Sequence, residues 1–558
     1  MGVSLALLTQ PASATFRGSN GKIAYSSGGS IYGVKPDGTG RTRIAANATR
    51  PAFSPLGRRI AFERTINGNR DIAVMQADGS GVRRLTYRPA AEGDPAFAPD
   101  GAGVALTRKV SGNWDIYRMK ADGTGLTRVT RSAYRDYGPA WSSKQTIAFV
   151  RNVGGNHDIY TARPGAGRRR VTSRATHDSS PAWSPDSRKI AFVRSGDIYT
   201  INLATRALRR LTRSGGFDPS WSPDGTKIAF SRGPTRGREI YVMRADGRGV
   251  PRRVTAERGD ALSPDWQSSG HDPVIAGAGD IACDPAGRYF NGGAGTKTLC
   301  RGQHTANRLL NMDLDKIFAL GDDQYTKGTL SQFQQSYDSS WGALRTITAP
   351  SVGNHEYRTP SAAGYFDYFN GVDSAAGPAG NRDEGYYSYD VGANWHVVVL
   401  NSACGYSGDG GTVPGGCDAG SPQEQWLRAD LSANARPCTL AYFHHARFSS
   451  AENVRAFWDA LYDSGVDLVL NGHDHTYERS APQTPSGELD RDRGIRQIIV
   501  GTGGKSHGAL NSDVPNREVA NNDTYGILKL TLRPASYRWE FLPEVGKTFA
   551  DGGTTNCH

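Results

Sequence analysis

A segment of the form x-Pro-Ala-(Trp/Phe)-Ser-Pro-Asp-Gly recurs, with variations, in the first half of this 558-residue chain at intervals of roughly 40 residues. Its copies contain the prolines Pro51, Pro95, Pro139, Pro181, Pro219 and Pro264. Each unit continues with a short apolar run such as IAFER or IAFVR, then D-I-Y or a variant, then A-D-G-x-G and R-L-T. Four short strands separated by Gly, Pro and Asp turns at this period are typical of a β-propeller blade.

The count of repeats predicts six blades. The first unit, which begins at GKIAYSS, lacks its opening strand, whereas an extra copy of that strand, Ser263 to Trp266, follows the sixth unit. We expect this copy to complete the first blade, so that both ends of the propeller share one sheet and no sheet edge is left exposed. The repeated Asp-Gly pairs are interpreted as hairpin turns rather than calcium loops.

These motifs resemble the propeller repeats of the TolB-type family over residues 20–267. The resemblance implies a binding or scaffold module without chemistry of its own. Residues 1–270 carry 43 Lys and Arg against 21 Asp and Glu, a formal charge of +22, whereas the rest of the chain carries −10. The basic charge favours an anionic partner such as nucleic acid, a cell-wall polymer or a membrane surface, or a protein; a solvated Arg-rich surface is the alternative.

From residue 273 the pattern changes to buried strands that alternate with amphipathic helices, which predicts an α/β layered domain over residues 273–558. The predicted strands are PVIAGAG, KIFAL, TLAYF, VDLVL and RQIIVG. The predicted helices are TANRLLNMDL, SPQEQWLRADLSAN and ENVRAFWDALYDSG. The fold class is therefore multidomain, with an all-β six-bladed propeller followed by an α/β domain.

Polar and titratable residues follow five apolar strands of this second domain. They are Asp280, Asp322, Tyr325, Asn354, His355, Glu356, His444, His445, His473 and His475. Ligand groups in α/β sheets gather where strands end, so we expect these side chains at one edge. Carboxylates and imidazoles without thiolates suit zinc, iron or manganese, and a shared carboxylate can bridge two such ions. The sequence therefore predicts a two-metal centre.

The segments GDI, GDDQY, GNHE and GHDHTYER, with the His444 segment between the last two, resemble the calcineurin-like metallophosphoesterases and, more narrowly, the purple acid phosphatases. The resemblance covers residues 273–545 and implies a layered αββα sandwich. It implies a first metal held by Asp280, Asp322, Tyr325 and His475. It implies a second metal held by Asp322, Asn354, His444 and His473. The implied pair is Fe(III) with Zn, Mn or Fe(II), with Asp322 as the bridge.

By the same resemblance, Asn354 and His355 contact the phosphate, and His355 assists the leaving group in hydrolysis of phosphate monoesters by a metal-bridging hydroxide. The further substrate-side histidines of the plant-type enzymes have no match in ARFSSAENVRAF, where only His445 and Arg447 could substitute. The preference for monoesters over diesters therefore stays open. Two alternatives are a phosphodiesterase or nuclease acting on anionic polymers, and an anion-binding propeller protein with a vestigial phosphatase domain. His507 is interpreted as an ordinary loop residue.

Cysteine usage favours a secreted, extracellular or periplasmic protein. The six cysteines, Cys283, Cys300, Cys404, Cys417, Cys438 and Cys557, contain no C-x-x-C pair and suit disulfides in an oxidising compartment. Cys404 and Cys417 bracket a Gly-rich loop and are expected to pair, while the pairing of the other four stays open. Residues 1–14 end in Ala-Ser-Ala and are interpreted as a truncated signal peptide. No window of eighteen apolar residues occurs.

Overall fold

The computed structural model describes residue 16 and residues 18–165, 167–405, 411–434, 436–449 and 452–558. The predicted signal peptide at residues 1–14 lies outside this part of the chain. The chain divides into two compact units, one of residues 1–271 with 311–313 and one of residues 272–310 with 314–558. No helix in the described residues is long and apolar enough to cross a membrane.

Six four-stranded antiparallel sheets make up the first unit. The strands of its first three blades are β1 Ser19–Ser27, β2 Ser30–Val34, β3 Thr42–Ala46, β4 Thr49–Phe53, β5 Arg59–Ile66, β6 Asn69–Gln76, β7 Arg83–Arg84, β8 Glu92–Phe97, β9 Gly103–Val110, β10 Asn113–Lys120 and β11 Thr127–Arg128. The remaining strands are β12 Arg135–Trp141, β13 Ile147–Val153, β14 Asn156–Ala162, β15 Arg168–Arg170, β16 Asp178–Trp183, β17 Lys189–Arg194, β18 Asp197–Asn202, β19 Leu208–Arg210, β20 Phe217–Trp221, β21 Lys227–Arg232, β22 Glu239–Arg244, β23 Arg252–Arg253 and β24 Ala261–Ser269. The predicted six-bladed propeller is confirmed.

The last strand of the propeller closes the first blade. β24 pairs antiparallel with β1, and Trp266 lies opposite Ile23. The sheet order is β24-β1-β2-β3, so the extra strand supplies the one that the first repeat lacks. Because this pairing joins the two ends of the propeller sequence, it satisfies backbone groups that would otherwise form an open edge.

The repeated D-I-Y and R-L-T segments hold the third and fourth strands of a blade together. In the fifth blade, the Thr212 hydroxyl donates to Asp197 Oδ1 at 2.9 Å, and Arg210 Nη2 lies 2.5 Å from Asp197 Oδ2. The backbone N–H of Ile198 donates to the same threonine hydroxyl at 2.9 Å. The repeated acid therefore accepts hydrogen bonds inside the blade, which explains its regular spacing.

The second unit is built from two large mixed sheets, which are flanked by helices, and one small two-stranded sheet. Its strands are β25 Val274–Ala278, β26 Lys316–Leu320, β27 Thr348–Ser351, β28 Ala376–Gly377, β29 Gly380–Asn381, β30 Tyr387–Val391, β31 Trp395–Val399, β32 Cys438–Tyr442, β33 Leu468–Asn471, β34 Tyr477–Ser480, β35 Arg496–Val500, β36 Arg517–Asn521, β37 Gly526–Arg533, β38 Ser536–Pro543 and β39 Gly552–Asn556. Its α-helices are α1 Gly302–Leu310, α2 Leu330–Gln332, α3 Ala363–Asn370, α4 Pro422–Ala433 and α5 Arg455–Asp463.

The sheets of the second unit face one another, and helices cover their outer sides. One sheet has the order β27-β26-β25-β37-β38-β39 and the other β30-β31-β32-β33-β35-β34-β36. The Tyr442 hydroxyl of the second sheet donates to the Ala349 carbonyl of the first at 2.8 Å. Helices α4 and α5 bury Leu427 and Trp458 in one core cluster with Val469 of the second sheet, and α1 contacts β37 of the first. The predicted layered α/β fold is confirmed.

All six cysteines form disulfides. Cys404 pairs with Cys417, as predicted, and the other bonds are Cys283–Cys300 and Cys438–Cys557. Cys438 begins β32 and Cys557 follows β39, so the third bond ties the end of the chain to the second sheet. Every disulfide lies in the second unit.

Candidate active site

Five strands from the two sheets end at one cluster of side chains. β25, β26 and β27 are mutually parallel in the first sheet, and β32 and β33 are parallel in the second. Their carboxyl ends lead to Asp280, to Asp322 and Tyr325, to Asn354, to His444, and to His473 and His475, respectively. The seven residues predicted to be metal ligands are thus placed by strand ends.

Three of these residues form a compact group around Asp280. Its Oδ1 accepts a hydrogen bond from the Tyr325 hydroxyl at 2.7 Å and lies 3.1 Å from His475 Nε2. The tyrosine oxygen is itself 2.9 Å from His475 Nε2. The other imidazole nitrogen, Nδ1, is 2.8 Å from the Ser506 hydroxyl, which fixes the ring. A carboxylate, a phenol and an imidazole therefore converge on one point.

A second group centres on His444. Its Nε2 lies 3.4 Å from Asp322 Oδ1, 3.2 Å from Asn354 Oδ1 and 3.2 Å from His473 Nδ1. Its Nδ1 donates to the Leu320 carbonyl at 2.7 Å, so Nε2 is the nitrogen directed at the cluster. These four residues are the set expected to hold the second metal.

The backbone at the strand ends is strained where it turns these side chains inward. Asp280, Asp322, His473 and His475 all have positive φ, between 49° and 71°. This left-handed conformation costs a non-glycine residue roughly 1–2 kcal/mol. Backbone N–H groups then hold both carboxylates, since His473 donates to Asp280 and His355 to Asp322, each at 2.8 Å. Such strain concentrates at functional sites.

The donor set fits metal ions. Ligand atoms of Asp280, Asp322 and His444 lie within 4.8 Å of one another, as do those of His444, His445 and His473. Both carboxylates are buried and need a positive charge beside them. Burial alone would lower the pKa of His444, but Asp322 raises it to about 10. In the absence of a metal ion, the protonated ring of His444 supplies this charge. A metal ion that displaces the His444 proton would supply it at the same position.

Two of the residues expected to contact substrate, His355 and His445, lie beside the candidate metal ligands. His355 donates from Nδ1 to the Thr326 carbonyl at 2.8 Å, which leaves Nε2 facing Asp322 Oδ2 at 3.8 Å. His445 is 1% exposed, and its ring centre lies 4.4 Å from that of His473, so it sits among the ligand candidates. Its Nδ1 is 2.9 Å from the Ser402 hydroxyl.

Two further sequence candidates contact aromatic rings. The Arg447 guanidinium lies 5.2 Å from the centre of the Phe448 ring. The His507 ring stacks on Tyr525 with ring centres 3.9 Å apart. Neighbouring Lys505, not singled out by the sequence, has its ammonium 5.1 Å from the centre of the Tyr325 ring.

Sequence reasoning missed the supporting role of Glu356. Its buried carboxylate accepts the backbone N–H groups of Asp322, Gln324 and Gly353 at 3.1, 3.0 and 2.8 Å. It therefore joins the loop after β26 to the loop after β27. Burial and the nearby Asp322 raise the pKa of Glu356 to about 8. The only sequence signal is its place directly after His355 in GNHE.

Comparison with known proteins agrees with the folds of both units. Residues 275–477 match the calcineurin-like phosphoesterase family, and residues 38–197 and 130–281 match the TolB beta propeller domain. Purple acid phosphatase 18 of Arabidopsis thaliana is 32% identical over 227 residues, covering 34% of this chain and 49% of that protein. Purple acid phosphatase 15 of the same plant is 28% identical over 237 residues, covering 36% and 42%.

A nucleotide pyrophosphatase/phosphodiesterase of Hordeum vulgare is 26% identical over 263 residues, covering 41% of this chain and 68% of that protein. The chain thus spans less than half the length of the two phosphatases and about two thirds of the Hordeum vulgare protein. The chain therefore joins a TolB-type β-propeller domain to a calcineurin-like phosphoesterase domain that is similar to purple acid phosphatases.

Proposed function

We propose that this protein is a secreted binuclear metal-dependent phosphoesterase that hydrolyses phosphate monoesters and carries its propeller as a binding module. The observation that carries the proposal is the convergence of seven donor residues in two groups, with ligand atoms of Asp322 within 4.8 Å of those of Asp280 in one group and His444 in the other. All seven positions hold residues able to bind a metal, and the side chains meet. This completeness argues against a vestigial domain, in which lost ligands would be expected.

The residues would divide as follows when metals are bound. Asp280, Tyr325 and His475 would hold one ion, Asn354, His444 and His473 the other, and Asp322 both. Metal ions at such a centre neutralise phosphate oxygens and lower the pKa of water. Carboxylate and phenol oxygens are hard donors that favour Fe(III) in the first position, and imidazoles suit Zn, Mn or Fe(II) in the second. An iron–phenolate absorption band that is lost in Tyr325→Phe is the expected signature.

The chain's own groups would orient the ester and handle one proton. His355 has its Nδ1 proton committed to the Thr326 carbonyl, so its Nε2 is the atom that can exchange a proton with the leaving oxygen. Asn354 has an amide that can donate to a phosphate oxygen. Glu356 keeps Asp322 and Asn354 in mutual register by holding both loops. The buried surroundings of these groups keep water from competing for their hydrogen bonds.

Export is part of the proposal. Three formed disulfides favour an oxidising compartment, such as the periplasm or the extracellular space. A phosphodiesterase acting on anionic polymers is the second candidate, favoured by the similarity to a plant nucleotide pyrophosphatase/phosphodiesterase. The two candidates share the metal site and differ in the ester that they cleave.

The test compares a chromogenic phosphomonoester with its matched diester, using wild type and Asp322→Asn. We expect the monoester rate to fall on the order of 100-fold or more in the variant, together with a loss of bound metal measured by mass spectrometry. Asp373→Asn makes the same chemical change at an exposed aspartate and should leave both unchanged. Cleavage of the diester alone would establish the second candidate. No cleavage of either ester across metals and pH would overturn both.

A further inference from the structure

The connections between propeller strands emerge on two faces. Because the strands of each blade alternate in direction, hairpins from the second to the third strand share one face with the links between blades. We call this the connection face. Its hairpins are residues 27–30, 65–70, 109–113, 152–156, 194–197 and 231–239, and its links are residues 46–50, 85–92, 129–135, 171–178, 211–217 and 254–260. The remaining turns form the opposite face.

The connection face is rich in exposed cations. The exposed ones are Arg88, Lys109, Arg131, Arg135, Arg174, Arg213, Arg236 and Arg258. Five of the six links between blades supply at least one, shortly after the threonine of the R-L-T segment or its variant. Within the described residues none of the eight forms an ion pair. Their charges therefore face solvent together.

The acids on this face do not balance these charges. Four of these acids are at most 7% exposed and lie buried within the blades: Glu92, Asp178, Asp197 and Glu239. Glu257 is held by the Arg41 guanidinium at 2.6 and 2.8 Å, and Asp260 accepts the backbone N–H groups of Gly237 and Arg238 at 2.7 and 2.9 Å.

The opposite face is different, because exposed aspartates stand in its turns among exposed lysines. These aspartates are Asp37, Asp78, Asp100 and Asp224. The opposite face also carries exposed arginines such as Arg163, Arg188 and Arg206, but its aspartates stand among them, whereas the described part of the connection face has no exposed acid. An uncompensated surface of this kind attracts a polyanion and makes the attraction sensitive to salt.

Aromatic rings lie among the cations. Tyr87 is 68% exposed and Tyr134 is 44% exposed, and they stand on neighbouring links beside Arg88 and Arg135. The Tyr87 ring is held in place, because its hydroxyl donates to the Arg84 carbonyl at 2.9 Å and the Arg84 guanidinium lies 4.8 Å from its centre. Exposed rings beside guanidinium groups are the platform on which single-stranded bases stack.

The geometry points to a single-stranded nucleic acid bound on the connection face, with phosphates on the arginines and bases on Tyr87 and Tyr134. A membrane that held this face by insertion would require protruding apolar side chains, and Val110 is the one large aliphatic residue strongly exposed on the described part of this face. Double-stranded DNA offers its phosphates but hides the base faces. Each ring is next to an arginine of its own link, and the other cations of this surface come from other repeats.

The test measures binding of a fluorescently labelled oligothymidylate by anisotropy over a range of salt concentrations. All proteins are full-length and carry Asp322→Asn, so that binding is read independently of ester hydrolysis. One variant combines four changes on the connection face: Arg88→Gln, Arg131→Gln, Arg174→Gln and Arg213→Gln. A control with the same net charge changes four exposed lysines near the opposite face: Lys35→Gln, Lys120→Gln, Lys144→Gln and Lys227→Gln.

Log affinity falls linearly with log salt concentration, and we expect this slope to be smaller in magnitude by about 3 in the connection-face variant. The control should keep nearly the wild-type slope. Tyr87→Ala and Tyr134→Ala should each weaken binding about tenfold, with recovery in the matching Tyr→Phe variants. Far-ultraviolet circular dichroism and melting curves of all variants check that the propeller is intact.

Three results would overturn the proposal. One is equal loss in the two quadruple variants, which would mean attraction to net charge alone. Another is a wild-type affinity in both Tyr→Ala variants together with full competition by inorganic polyphosphate or by phosphatidylglycerol vesicles, which would identify a general anion or membrane surface. The third is absence of binding at low salt. The phosphoesterase proposal would be unaffected by any of them, because it concerns the other unit.

Discussion

At the scale of single residues, the candidate site depends on groups that never touch a ligand. Glu356 uses both carboxylate oxygens to accept three backbone N–H groups from two loops. Those donors lie up to 34 residues away, so the role of Glu356 is invisible in a local motif. The candidate ligand residues could be named from the sequence, because each follows an apolar strand and has a side chain suited to metals.

We expect Glu356→Gln to weaken metal binding and lower kcat about 10- to 100-fold, since glutamine keeps one acceptor oxygen but replaces the other with an NH2 group that cannot accept an N–H hydrogen bond. Metal titration and steady-state kinetics on the same preparation check this. The matched control is Glu424→Gln, another buried glutamate, which accepts the Gly420 N–H at 3.1 Å in α4. Equal losses in both variants would show general destabilisation and contradict a positioning role for Glu356.

At the scale of elements, one histidine joins two strands to a helix. His396 of β31 is 2% exposed and lies between Asp390 of β30 at 3.0 Å and Asp430 of α4 at 2.8 Å. Burial lowers the pKa of His396, but the two carboxylates outweigh burial and raise it above its ordinary value. The folded state therefore binds this proton more tightly than the unfolded chain.

The sign of the pH dependence follows from this shift. A raised histidine pKa gives stability that is complete below the unfolded pKa of about 6.5 and is lost as pH rises through the folded pKa. We expect His396→Gln to lower the free energy of unfolding by about 1–3 kcal/mol in acid, with a smaller effect in alkali. Urea unfolding at acid and alkaline pH measures the difference. The exposed His177→Gln serves as control, and a pH-independent loss for His396→Gln would contradict the ion-pair account.

At the scale of the whole molecule, the two units differ in how they are stabilised. The propeller contains no cysteine and closes through β24 and β1, whereas the phosphoesterase unit holds all three disulfides. The Cys438–Cys557 bond closes a segment of 119 residues. In the chain-entropy account, closing a loop of this length lowers the conformational entropy of the unfolded chain and so stabilises the folded state by roughly 5 kcal/mol.

Reduction should therefore act on one unit alone. We expect a reducing agent to shift the calorimetric unfolding of the phosphoesterase unit to lower temperature, by about 2–4 kcal/mol of stability per bond removed, and to leave the propeller transition in place. The propeller is the internal control, because it has no disulfide to lose. A shift of both transitions by the same amount would mean that the units do not unfold independently.

The sequence by itself determined the six blades, the layered second domain and the identities of the metal-ligand candidates. Those features depend on repeats and on strand-end residues such as Asp322 and His473, which local spacing records. Only the tertiary structure decided the pairing of Cys283, Cys300, Cys438 and Cys557 and the bracing of two loops by Glu356. Each of these requires residues distant in the chain to approach within a few ångströms, and hydrophobic periodicity carries no information about such distances.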